Sequence, residues 1–229
     1  AVDLASAYYA ATLADWLGGT YPALAEQKAF AVNPSAGADW LKRLQELQQP
    51  DGGFSWFKGM SSSPYITRMV VEPFVRLHAL GAPVLGEARS ATFLSKALAY
   101  LDKKAIESYH DMQRRERAGK DKITLGENEL HYLYLNALLP HALTQDGKQA
   151  VEFFTQRLSL GLKGGSLYDK ALACIVYQKM GKVSEARKCL QSLLEYTVYT
   201  EELGRYYDSN RSWVNWRNYR TTLQTLLVE

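Results

Sequence analysis

The side chains best suited to chemistry are Glu127, Asn128, Glu129, His131 and Tyr132, which cluster at the start of one helical pattern. Carboxylates beside an imidazole and a phenol are the groups used for proton abstraction or glycosidic cleavage. The competing reading places Glu127 and Glu129 in a helix's first turn, where carboxylates complement the positive dipole end, with His131 and the tyrosines as packing. A zinc site would have to use Asp169 and Cys174 with His131 or His141. Asp169 and Cys174 stand five apart and need not share a helix face, and no second Cys or His sits at ligand spacing. No metal is therefore expected. A serine nucleophile elbow, a phosphate loop and a dinucleotide fingerprint are all missing, so the sequence predicts no catalytic centre and no cofactor. Glu72 and Arg76 are spaced for a helix ion pair of structural character. Cys174 and Cys189 read as small buried hydrophobes, and a disulfide between the two halves of one hairpin stays open.

The elements that must position these groups follow from composition and periodicity. With 229 residues, 47% hydrophobic and 22% charged, the chain has enough apolar side chain for a substantial core, which excludes a disordered class. A net charge of +3 gives no basic stripe for nucleic acid. The densest run, Arg114, Arg115, Arg117, Lys120 and Lys122, is interleaved with Asp111, Glu116 and Asp121 and reads as the solvated end of a long helix. No apolar stretch approaches the roughly 18 residues of a membrane span, so no membrane contact is expected. The chain opens on Ala1 in a helical pattern and closes on Leu226-Leu227-Val228-Glu229, still apolar, which predicts a single domain, 1–229, cut from a larger protein.

Apolar residues recur at three- and four-residue spacing almost throughout, as in Leu41, Leu44, Leu47 or Leu190, Leu193, Leu194. Glycine and proline punctuate the pattern, giving about nine helices near 3–18, 35–49, 63–80, 88–118, 126–143, 147–160, 166–180, 183–197 and 216–229. Pro34-Ser35, Ser63-Pro64 and Ser184-Glu185 supply capping hydroxyls, and Pro73 should kink the third helix. Helices apolar on most sides (from Leu4, Tyr65, Leu130 and Leu167) alternate with one-sided ones (from Trp40, Phe93, Val151 and Ala186). An inner ring of helices wrapped by an outer ring requires that alternation, whereas a stacked solenoid would expose one face of every helix. The expected fold is all-α, an α/α toroid of repeated helical hairpins, incomplete where excision has cut the ring. Its joints are Gln49 to Gly59, Leu162 to Ser166 and Leu203 to Trp213, where glycines turn the chain and aromatics plug the end.

The run Gln-x-x-Asp-Gly-Gly-Phe before an inner helix is similar to the repeat joint of α/α-toroid proteins. The fuller stretch from Asp51 through Gly52, Gly53, Phe54, Trp56 and Phe57 to Ser63-Pro-Tyr-Ile-Thr resembles the thioester domain of the bacterial α2-macroglobulin family. Arg205-Tyr-Tyr-Asp-Ser-Asn-Arg-Ser-Trp-Val-Asn-Trp, with Tyr206, Tyr207, Trp213 and Trp216, is similar to that family's last joint. The family's chemistry is an internal thioester in a Cys-x-Glu-Gln motif ahead of a Ser-x-Tyr-Tyr-Ala helix. Ser6-Ala-Tyr-Tyr-Ala resembles that helix, and counting back puts the motif's Gln at Asp3 and its Glu at Val2. Asp cannot supply the amide, so the resemblance implies a member without the thioester.

The resemblance implies a non-enzymatic, cofactor-free module of a bacterial periplasmic or envelope protein. It would contribute to endopeptidase inhibition by steric trapping, with target proteases and neighbouring domains as partners. The joint aromatics Trp56, Phe57, Trp213 and Trp216 are its expected interface residues. The alternative is a toroid carbohydrate-active enzyme, lyase or glycosidase, with its cleft at Glu127 to His131.

Overall fold

The computed structural model describes residues 1–25, 34–82, 88–119, 122–161, 166–202 and 204–207. Among these the chain is all-α apart from one short hairpin. Its helices are α1 (Val2–Thr20), α2 (Pro22–Ala25), α3 (Pro34–Leu47), α4 (Pro64–Ala79), α5 (Ala88–Arg117), α6 (Glu127–Leu138), α7 (Gln145–Gly161), α8 (Leu167–Lys179) and α9 (Val183–Leu194). The strands β1 (Thr197–Thr200) and β2 (Gly204–Tyr207) pair antiparallel, with Val198 opposite Tyr206.

Local chemistry accounts for the helix ends. Ser63 caps α4, its hydroxyl accepting from the Ile66 N–H at 3.4 Å, with Pro64 in the first turn. Ser166 caps α8 in a reciprocal box with Asp169. Ser184 does not cap α9: the helix starts at Val183 after Lys182, without a side-chain cap, and Ser184 lies inside the first turn. The helix expected over 126–143 stops at Leu138, because Leu139 precedes Pro140 and that position disfavours the α conformation. α3 starts at Pro34, one residue ahead of the expected start at 35. Pro73 lies within one uninterrupted helix, α4.

The segment after α9 differs most. The helix expected to 197 ends at Leu194, and the stretch read as a joint leading to a last helix enters a hairpin instead. Its residues explain this: Thr197-Val-Tyr-Thr and Arg205-Tyr-Tyr are β-branched and aromatic, types that fit a pleated, half-buried surface. The helix expected over 216–229, with Trp213 and Trp216, and the Leu162 to Gly165 part of the second joint lie outside the described residues.

The chain parts into two compact units, the first holding 1–110 and 138–148, the second 111–137 and 149–229. In the first unit α1 packs on α3 and α4. Its core is a train of rings: Tyr8 stacks on Phe74 (centroids 5.0 Å apart), Phe74 meets Phe93 edge-on at 5.3 Å, and Phe93 meets Phe54 at 5.6 Å. In the second unit α8 and α9 pack as a helical hairpin, with Leu172, Val176 and Leu193 fully buried. Tyr132 of α6 sets its edge against Phe154 of α7.

The expected alternation holds from α3 onward. α4, α6 and α8 bury residues on most sides, while α3, α5, α7 and α9 bury one stripe each. α1 departs from it: only Ala5 and Tyr8 are buried, so among the described residues it is covered on one side.

Candidate functional site

The segment from Gln48 into the first turn of α4 is held by a set of hydrogen bonds, and it carries two exposed aromatics, Trp56 and Phe57. Asp51 nucleates it. One carboxylate oxygen accepts from the Gly53 N–H at 3.0 Å and from the Ser62 hydroxyl at 2.7 Å, closing both ends of the loop on one side chain. Gln49 N–H donates to Gly53 O and Gly52 N–H to Gln49 O, each at 2.9 Å. Gln48 reaches further: its amide donates to Gly52 O at 2.9 Å and to Phe93 O of α5 at 3.0 Å.

Gly52 is the position that only glycine can fill. It has φ +88, and a Cβ there would collide with the Lys96 carbonyl of α5. At Gly53 an added Cβ would stand 2.6 Å from Ser62 Cβ and 3.0 Å from the Tyr100 ring. The two glycines therefore let the loop lie directly on α5. Phe54 follows, fully buried, its N–H donating to Thr67 Oγ1 at 2.8 Å while the Thr67 hydroxyl donates to Ser63 O. Behind the turn the Tyr100 hydroxyl is buried without a hydrogen-bond partner, and burial, aided by Asp51 and Glu107, pushes its pKa up to about 12. It is a neutral phenol at any physiological pH.

Past Phe54 the loop turns outward. Trp56 lies parallel to Tyr65 at 5.5 Å, and Arg68 caps the other partner of that stack, 4.9 Å from the Tyr65 ring centre. Trp56 is nevertheless 56% exposed, Phe57 73% and Met60 49%. Three large apolar side chains thus face solvent within five residues, on a loop hydrogen-bonded at both ends. Single exposed hydrophobes need no explanation, whereas these three stand close together in the sequence. Asp51, Gly52, Gly53, Phe54, Trp56 and Phe57 were expected here. Gln48, Ser62, Tyr65, Thr67 and the Lys96 carbonyl were not, although Thr67 stands four residues after the Ser63 cap, the spacing of a side chain bonding back to the helix start.

Tyr206 and Tyr207 lie on β2, opposite Val198 and Thr197, so they belong to the second unit and not to this loop. Near them Tyr196, Val198 and Tyr199 are exposed.

The enzyme-like cluster is divided: Glu127 and Asn128 are exposed and Glu129 half-buried, while His131 and Tyr132 are buried. Glu127 and Glu129 occupy the first turn of α6, and Glu129 accepts from the Gly126 N–H at 2.9 Å. His131 is 1% exposed; its Nδ1 donates to the Glu127 carbonyl at 2.9 Å and its Nε2 meets the Tyr168 hydroxyl at 2.7 Å. The imidazole thus ties α6 to α8.

The zinc candidates are dispersed among separate partners. Asp169 closes the cap of α8, and Cys174 donates to the Ala186 carbonyl at 3.4 Å. His141 sits between the Leu139 carbonyl at 3.3 Å and the Asp102 carboxylate at 3.0 Å. Acceptors at both ring nitrogens favour the doubly protonated ring; the Asp102 bond is the main cause of its raised pKa. Among the described residues no group of three His, Cys, Asp or Glu side chains is placed to hold a metal. Glu72 and Arg76 approach to 3.9 Å on α4, the expected ion pair.

In the second unit the Arg114 and Arg115 end of α5 is solvated, as expected. Glu116 is the exception: Arg157 holds it through Nε at 3.0 Å and through Nη2, and it accepts from Ile123 N–H at 3.0 Å. The Arg157 hydrogen bonds keep its carboxyl below the usual carboxylate range.

No protein-family model matches the sequence, and comparison with curated proteins gives no match either. Among the described residues no helix is long and apolar enough to cross a membrane.

Proposed function

We propose that this chain is a non-catalytic helical domain of a bacterial α2-macroglobulin-like protein of the periplasm or cell envelope. Its part in endopeptidase inhibition is steric: it presents a rigid surface to neighbouring domains and helps enclose the trapped protease. The observation that carries this reading is the Asp51 to Met60 loop, bonded at both ends yet exposing Trp56, Phe57 and Met60. The alternation of broadly buried and one-sided helices from α3 onward supports an α/α toroid, in which such loops close each inner–outer pair. The burial of His131 against Tyr168 weighs against the carbohydrate-active alternative.

The experiment is Phe57→Ser with Met60→Ser in the protein that carries this chain. Neither side chain contributes to the core, so the melting temperature should hold while protection of a large protein substrate from a bound protease falls. Cleavage of a uronic-acid polymer by the chain, lost in His131→Ala, would overturn the proposal.

A further inference from the structure

The α8–α9 hairpin holds the two cysteines of the chain, both free thiols. Cys174, partly exposed on α8, donates its thiol hydrogen to the Ala186 carbonyl of α9 at 3.4 Å. Ala186 lies three residues before Cys189 on the same face of α9, and both are buried. A helical side chain leans toward the N-terminus of its helix and covers the preceding turn. Cys189 therefore leans toward the carbonyl that the Cys174 thiol already touches, so both thiols are directed at one point of the α8–α9 seam. Each thiol also registers its surroundings: burial raises both pKa values, and Cys174 adds to the rise at Cys189.

We propose that Cys174 and Cys189 form a redox-closable pair, a modification site whose disulfide staples α8 to α9. The co-reactant is a disulfide of the glutathione or thiol-oxidase class. The Cys174 thiolate, the more accessible one, attacks one sulfur of that disulfide and expels the first thiolate. The Cys189 thiolate then attacks the Cys174 sulfur of the mixed disulfide and expels the second. Two electrons pass to the oxidant, and the two cysteine protons end on the two released thiols. Raised pKa values make both steps slow at neutral pH and faster as pH rises.

The test treats the folded chain with oxidised glutathione, then with an alkylating agent, and reads intact mass and proteolytic peptides. The expected product is a monomer two hydrogens lighter, unalkylated, with a Cys174–Cys189 cross-linked peptide that dithiothreitol reopens. Cys189→Ser should instead accumulate a glutathione adduct on Cys174. A wild-type chain that keeps that adduct, forms only intermolecular dimers or remains alkylatable at both positions would overturn the proposal, and this readout needs no variant to fold.

Discussion

Gly52 lies against the Lys96 carbonyl of α5 with φ +88, so the loop before α4 and the helix after it meet backbone to backbone. That approach fixes where Trp56 and Phe57 emerge, and it makes the joint sensitive to a single methyl group.

Gly52→Ala should destabilise the chain by about 1–3 kcal/mol, from strain at positive φ with displacement of α5 added. Gly59→Ala is the control, because Gly59 also has φ +88 but open space around its Cα. It should cost about 1 kcal/mol from the backbone alone. Urea unfolding of the two variants checks this; equal losses would contradict a close approach at Gly52.

Phe54→Ala should cost about 3–5 kcal/mol, because the ring is fully buried against Phe93. Phe57→Ser, three residues further along the chain and 73% exposed, should stay within about 0.5 kcal/mol. The contrast separates the residue that builds the loop from the residue the loop displays.

How much of this was legible in the sequence depended on whether a feature is local. The cap at Ser63 and the glycine turn are written in adjacent residues, and the alternation of helix types is a periodicity. The end of α6 was legible too, in Pro140, but the apolar run to Leu143 outweighed it. The β1–β2 hairpin was missed because Glu201-Glu202 lacks the Asn-Gly type of turn signal, leaving only the weaker β-branched pattern. Contacts such as Gln48 to Phe93, or His131 to Tyr168, join residues tens of positions apart, and no spacing rule encodes them.

The contribution of His141 to stability should be lost as pH rises through its folded pKa, which lies above the usual histidine value. Its folded pKa is raised by Asp102, so the proton is bound more tightly in the folded chain. That contribution is fully present below the unfolded value of about 6.5 and is lost as pH rises through the folded one. Asp102→Asn should flatten this part of the stability–pH profile, measured by denaturant unfolding from pH 5 to pH 9.

Glu116 should act in the opposite sense. Its folded pKa is lowered by Arg157, so its contribution is present above the unfolded carboxylate value and is lost as pH falls through the folded one. Glu116→Gln should remove that acid-side loss, read from the same unfolding series carried below pH 5. An unchanged acid limb would mean the Arg157 pair does not set it.

A paired-substrate assay distinguishes a steric, non-catalytic role from its alternatives. An endopeptidase is mixed with the protein that carries this chain, and hydrolysis of a large protein and of a small chromogenic peptide is followed in parallel. Steric enclosure predicts that protein hydrolysis is suppressed while peptide hydrolysis continues, without methylamine incorporation. Equal hydrolysis of the large substrate with and without the protein would contradict the account.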